Sequence, residues 1–331
     1  MQCAVIGGGA WGSALADLLA RGGHAVRLWA REPEVVERVN ATHDNPRFLP
    51  GISLHATVVA TNDVAHALSD AELVLYVAPS HVLRDVVRAG ARCVSPAAIV
   101  AVGTKGIEPE SLMLMTDVVS TELPSHSVVA VSGPSFALEV ARRQPTAVVA
   151  ASKRLASAAI VQRTLSSSAF RVYTSDDVTG VELAGALKNV MAVATGIAEG
   201  LDLGLNSRAA LITRGLAEMT RLGVALGAHA STFAGLAGLG DLVLTCTGAL
   251  SRNRAVGLEV GRGRALDDVL AGTESIAEGV RNTRSAVQLA ARCGVDLPIA
   301  TAVHRVLFEH QRPREAMSDL MNRELRAERD Q

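Results

Sequence analysis

Apolar and polar positions follow two different rhythms along the chain, and the change from one to the other divides it. Through about residue 175, short runs rich in valine, isoleucine and leucine recur between stretches with helical spacing. That is the form of repeated βα units around a mostly parallel sheet. The pattern predicts strands over residues 3–6, 25–29, 57–60, 72–77, 98–102, 127–131, 147–150 and 170–173, and helices over 11–20, 33–39 and 82–89 among others. After Thr174-Ser175-Asp176-Asp177 the strand signal stops and long Ala/Leu/Gly helical stretches take over. The expected fold class is α/β: a doubly wound, mostly parallel Rossmann-type domain over residues 1–176, then an all-α domain over 177–331. Residues 222–240 carry no Asp, Glu, Lys or Arg, yet His229 and five glycines would weaken a spanning helix, so they read as buried helix plus loop. The Glu/Arg-rich tail over 315–331 reads as a solvated final helix with a frayed end.

The 331 residues suffice for two domains at roughly 150 residues each. Hydrophobic residues at 49% and charged residues at 20% exclude a disordered or fibrous chain. With 32 Lys+Arg against 33 Asp+Glu, no net positive field would hold nucleic acid or insert the chain stably at an anionic membrane, so any anionic ligand needs a local cluster. Four cysteines without a CxxC pair, and a start without a basic leader, point to a reducing cytoplasm.

The first strand runs directly into Gly7-x-Gly9-x-x-Gly12, which opens a helix. Glycines here permit a tight turn, close approach of backbone to a pyrophosphate and close packing of helix on strand, while the helix start offers free N–H groups. A dinucleotide site is expected. At the end of the second strand, Arg31 is suited to a 2′-phosphate and Glu32 to a ribose hydroxyl, which leaves NADP and NAD both open.

Polar groups at other strand ends draw attention for the same reason: Ala78-Pro79-Ser80, Gly103-Thr104-Lys105-Gly106 and Ser132-Gly133-Pro134-Ser135-Phe136. Lys105 is either a cation reaching the crevice or a solvated turn lysine, and Gly133-Pro134 can start a helix. In the helical half, spacing over 182–195 aligns Val181, Ala184, Lys188, Met191, Ala192 and Thr195 on one face. Lys188 interrupts that apolar stripe, and is either snorkelling to solvent or desolvated for proton transfer. Ser251 can cap a helix beginning at Arg252, a receptor suited to a dianionic phosphate, against the plainer reading of a solubilising basic turn. No Ser/His/Asp triad and no zinc-ligand spacing among the nine histidines stands out.

Taken together, LWARE, FLPG, VAPSHVLR, GTKGIE, SGPSFALEVA, VELAGALKNVMAVATGI, GLGDLVLTCTGALSRNR and AEGV occur in one order nearly end to end. In this the chain resembles the bacterial-type NAD(P)-dependent glycerol-3-phosphate dehydrogenases. The resemblance implies a helical domain like that of 6-phosphogluconate dehydrogenase, and reversible reduction of dihydroxyacetone phosphate to sn-glycerol 3-phosphate for phospholipid synthesis. It implies Lys188 as general acid/base, with Lys105, Gly133, Ser135, Asn189, Asp241, Thr245, Ser251, Arg252 and Asn253 around the substrate. Gly7, Gly9, Ala10, Trp11, Gly12, Arg31, Phe48, Lys105, Ala137, Arg252, Ile276 and Glu278 match cofactor positions for NAD(H) or NADP(H), and no metal is implied. Ala10 stands where the family usually has serine, Phe48 where tyrosine is common, and Leu205 where aspartate is usual. A homodimer packed through the Ala/Gly-rich helices is expected. The rival readings are another dehydrogenase pairing a Rossmann domain with a helical one, and a dinucleotide sensor without turnover; the latter would not need Lys188, Lys105 and Arg252 together.

Overall fold

The computed structural model describes residues 1–272, 277–325 and 327–328; Ile276 lies outside the described residues. Its main sheet is built from β1 (Gln2–Ile6), β2 (Ala25–Trp29), β5 (Val58–Thr61), β6 (Leu73–Tyr76), β7 (Ile99–Val102), β8 (Val128–Ser132), β9 (Thr146–Ala151) and β10 (Phe170–Ser175). Two further short strands, β3 (Asp44–Asn45) and β4 (Leu49–Ser53), pair antiparallel as a ribbon outside it. The spatial order is β10-β9-β8-β7-β6-β1-β2-β5. The six strands from β8 to β5 run parallel, with the strand order reversing between β1 and β6. β9 runs antiparallel to β8, and β10 parallels β9.

Each predicted strand is present to within a few residues, and the apolar pattern explains why the centre of the sheet is covered on both sides. Cys3 and Val5 of β1 and Leu73 and Leu75 of β6 pack into the core on one face. Their neighbours Ala4, Ile6, Val74 and Tyr76 pack into a separate core on the other. Successive strand side chains point to opposite faces, so a strand such as β1, apolar and buried from Cys3 to Ile6, needs helices over both.

Beyond β10 the chain is helical. Asp177 caps the helix Val178–Gly200, its Oδ1 accepting from the Gly180 N–H at 2.9 Å. Residues 180–198 of this central helix are all buried, so the single apolar stripe expected from spacing is replaced by a helix covered on every side. The helix is long and apolar enough to cross a membrane, and its most apolar window is wholly covered by the rest of the protein. Glycine permits its closest contact. A Cβ on Gly196 would lie 2.1 Å from Arg254 O, and one on Gly257 would lie 2.2 Å from Val193 O. Small residues of the kind expected at a homodimer interface here draw the helix Arg252–Gly261 onto the central helix of the same chain, which brings Ser251, Arg252 and Asn253 toward Lys188.

Three local expectations need correction. Gly133-Pro134 does not start a helix: Gly133 adopts φ +144°, outside helical geometry, and the short helix Ala137–Ala141 begins after it. Residues 222–240 are not one buried helix and loop. They contain the end of the helix Gly204–Ala225, a short helix Ala230–Phe233 and a π-helical turn, Leu236–Gly240. The last helix, Pro313–Met321, covers only the first part of the 315–331 tail, and every described position after Met321 is exposed and offers nothing to pack.

Candidate active site

The turn after β1 has the geometry of a cradle for a pyrophosphate. Gly7 sits at φ +134°, and a Cβ there would lie 2.9 Å from the backbone of Val77 and Ala78. A Cβ on Gly12 would meet Gly7 O at 1.8 Å, so only glycine lets the helix Ala10–Arg21 pack so closely on the turn. Gly9, the N-cap of that helix, faces open space with nothing within 4 Å of a Cβ. The turn is braced by Asn45, whose Nδ2 donates to Gly8 O and to Ser13 Oγ, both at 2.8 Å. The Phe48 N–H in turn donates to Asn45 Oδ1 at 3.3 Å, which ties Phe48 to the same turn. Ala10 and Trp11 form the first turn of the helix, where Ala10 supplies no side-chain hydroxyl. The Trp11 indole nitrogen is buried and without a hydrogen-bond partner, a donor left unspent beside the cradle. These features fit a dinucleotide: glycines where the chain must close up, free space where the phosphates would lie and an unused donor.

A charged cluster lies across the crevice. Lys188, 7% exposed on the central helix, donates from Nζ to Asp241 Oδ1 at 2.7 Å. Lys105, from the turn after β7, donates to Asp241 Oδ2 at 2.6 Å and to Gly133 O at 3.0 Å. Ser135 Oγ donates to the same Gly133 oxygen at 2.9 Å. Asp241, 1% exposed, opens the helix Asp241–Thr247 and so bridges two ammonium groups while buried. Lys188 is therefore buried rather than extended to solvent, and Lys105 is held by Asp241 and Gly133 O rather than left in solvent. Burial holds Lys105 well below the ordinary lysine range, at about 8; the Asp241 carboxylate opposes that shift and the Lys188 charge adds to it. Two lysines against one aspartate leave an excess of positive charge poised for an anion.

The remaining groups extend from this cluster. Asn189, next to Lys188, is joined through Oδ1 to Asn253 Nδ2 at 2.9 Å, and Asn253 Oδ1 accepts from the Gly279 N–H at 2.9 Å. Ser251 caps the helix Arg252–Gly261, accepting from the Arg254 N–H at 3.3 Å, and its Oγ lies 3.2 Å from Thr245 Oγ1. Arg252 is exposed at the start of that helix, with no hydrogen bond or ion pair among the described residues. Ala137 begins the short helix beyond Ser135. Arg31 stands apart at the end of β2, its side chain 79% exposed and bonded to its neighbour Glu32 at 2.8 Å.

Two contacts escape sequence reasoning. Glu278 takes the Ser80 N–H at 3.0 Å and the Ser80 hydroxyl at 2.6 Å, tying the turn after β6 to the helical half. Glu182, one and a half turns before Lys188, takes the N–H and hydroxyl of Thr116, and burial pushes its carboxyl up to about 7. The partners lie 198 and 66 positions apart, beyond the reach of any local pattern.

Comparison with known proteins extends over the whole chain. Residues 2–158 match the NAD-dependent glycerol-3-phosphate dehydrogenase N-terminus and residues 177–318 the C-terminus of the same family. The chain is 51% identical over 333 residues to the glycerol-3-phosphate dehydrogenase [NAD(P)+] of Syntrophotalea carbinolica, covering all of both proteins. It is 52% identical to the enzyme of that name from Geobacter sulfurreducens, with 98% of each chain covered. Its fold superposes on the crystal structure of glycerol-3-phosphate dehydrogenase from Coxiella burnetii with a TM-score of 0.94, at 41% identity over 97% of this chain and 99% of that one. The chain therefore belongs to the NAD-dependent glycerol-3-phosphate dehydrogenase family.

Proposed function

We propose that this protein catalyses the reversible reduction of dihydroxyacetone phosphate to sn-glycerol 3-phosphate with NADH or NADPH, in the cytoplasm, as a homodimer, supplying the backbone of glycerophospholipids. The observation that carries this reading is the buried Lys105–Asp241–Lys188 cluster, in a chain whose first strand runs into the glycine turn. A bound reduced nicotinamide supplies hydride to the carbonyl carbon. Lys188, as ammonium, donates a proton to the carbonyl oxygen, and in the reverse direction its amine takes the hydroxyl proton. Asp241 holds that nitrogen in place and compensates its charge. Lys105 binds the substrate oxygens and polarises the carbonyl, favouring charge as it develops.

Arg252, at a helix start capped by Ser251, takes the phosphate with Ser251 and Asn253. Asn189 and Thr245 position these groups, while Gly133 and Ser135 close the substrate side through the backbone turn that Lys105 grips. On the cofactor side, Gly7, Gly9 and Gly12 admit the pyrophosphate with Ala10 in the opening turn. Trp11, Phe48, Ala137, Lys105, Arg252 and Glu278 border the dinucleotide, and Arg31 meets its adenosine end. Ile276 is assigned to this border by its sequence position alone.

The test is to mix the protein with dihydroxyacetone phosphate and follow loss of nicotinamide absorbance at matched NADH and NADPH concentrations. Consumption with either cofactor supports the reaction. Folded protein that binds a dinucleotide yet consumes none would favour a sensor without turnover.

A further inference from the structure

The crevice beside β6 carries basic side chains that the proposed reaction does not use. Ser80, in the turn after β6, is held by Glu278, which opens the helix Glu278–Cys293. Arg281 lies three residues further on, so it stands beside Glu278 on one helix face. His81 directly follows the tethered serine. Both side chains are exposed, and neither makes a hydrogen bond or ion pair among the described residues. Arg31 belongs to the same neighbourhood from the sheet side. Asn62 Nδ2 fixes its segment by donating to Ala30 O at 2.7 Å and Arg31 O at 3.3 Å, leaving the guanidinium 79% exposed.

These groups come from three separate segments, one of them in the helical half. Arg281 and Arg31 both lie within electrostatic reach of His81, as does Glu278. Partial desolvation holds the imidazole below the ordinary histidine range, the two arginines act the same way, and Glu278 opposes them. Glu278 is engaged with Ser80, which leaves Arg281 and His81 without a paired carboxylate, whereas Glu32 holds Arg31 through Nε and Nη2, so an anion there would share or displace that pair. The end of the second strand is where this fold places the adenosine ribose of a dinucleotide.

We propose that Arg281 and His81, together with Arg31, receive the 2′-phosphate of NADPH and set the preference between NADPH and NADH. The inference rests on the dinucleotide site proposed above and extends it to residues of the helical half. A 2′-phosphate offers a dianion to two donors that otherwise face solvent, Arg281 and His81, and to Arg31 in exchange for its bond to Glu32, whereas NADH presents a hydroxyl there, which gains little from a guanidinium. Because Arg281 rides on the helix that Glu278 ties to Ser80, the phosphate would also bridge the two halves along an existing contact.

The test measures Kd for NADPH and NADH by nicotinamide fluorescence, with adenosine 2′,5′-bisphosphate as a probe that lacks the nicotinamide, in wild type, Arg281→Glu and Arg281→Gln. Arg281→Glu should raise the NADPH-to-NADH Kd ratio at least about tenfold and weaken the bisphosphate in parallel, with Arg281→Gln moving the same way by less. His81→Gln should shift the ratio in the same direction by roughly threefold. Arg281 is exposed in a first helical turn, where an acidic residue is favoured, and NADH binding by each variant certifies its fold. A ratio unchanged in Arg281→Glu while NADH still binds overturns this inference alone. Wild-type protein that binds neither dinucleotide overturns it together with the site on which it rests.

Discussion

The two sides of the proposed site are suited to anions by opposite means. The glycine turn after β1 offers backbone N–H groups, a helix start and empty space, with nothing within 4 Å of where a Gly9 side chain would begin. The helical side is filled and charged: Asp241 and Lys188 are each at least nine-tenths buried, and Lys105 joins them. A diphosphate bound through the first needs room and dipoles, which cost the free protein little. A carbonyl awaiting a proton needs a charge held dry and in place, which costs the free protein the desolvation of three ionic groups. One side is therefore sensitive to added atoms, and the other to removed charge.

The sharpest way to break that comparison is Asp241→Ala. It would leave two buried ammonium groups sharing one space without a counter-charge, and should cost about 3–5 kcal/mol of stability, measured by chemical denaturation. A loss below about 1 kcal/mol would mean that the lysines find other partners and that the cluster is not what compensates them. Lys188→Ala is the contrasting cut, because Asp241 keeps its bond to Lys105. The fold should hold, while turnover falls at least about 10²-fold and dinucleotide binding stays near normal. Near-full turnover would remove Lys188 from proton transfer.

How much of this was legible before the structure depends on the distance over which each feature is encoded. The glycine turn is local: a strand, three glycines and a helix in succession carry both its shape and its use. The strands of the main sheet were legible for the same reason, since each is a short apolar run. The β3–β4 ribbon was not, because a two-residue strand and LPGIS, with its proline and glycine, do not resemble strands. Lys188 could be read two ways because helical spacing says which residues share a face but not what covers it. The answer lay in Asp241, 53 positions away, and in glycines on two helices whose lack of side chains only the packing explains. Resemblance to a family supplied the names of these residues, and the geometry supplied the reason they need one another.

Arg252→Ala tests whether the positive charge outside the buried cluster serves the substrate. Its guanidinium is exposed, so stability should change by less than about 0.5 kcal/mol. KM for dihydroxyacetone phosphate should rise roughly 10- to 100-fold, the worth of a charged hydrogen bond to phosphate, with kcat within a few-fold. An unchanged KM would move the phosphate away from the helix Arg252–Gly261.

Gly9→Ala, expected to change stability as little as Arg252→Ala does, isolates the other half of the comparison. Gly9 has φ −71°, which alanine adopts freely, and an added methyl would touch nothing in the free protein. Stability should stay within about 0.5 kcal/mol, while the methyl occupies the space the pyrophosphate needs and weakens dinucleotide binding about tenfold, read by fluorescence titration. Gly12→Ala makes the reverse case: its methyl would fall 1.8 Å from Gly7 O, so the backbone must move whether or not a dinucleotide is present, and the loss appears first in the melting temperature. If Gly9→Ala bound NADH as well as wild type does, the open space at the helix start would not be where the phosphates lie. The cradle would then owe its glycines to packing alone.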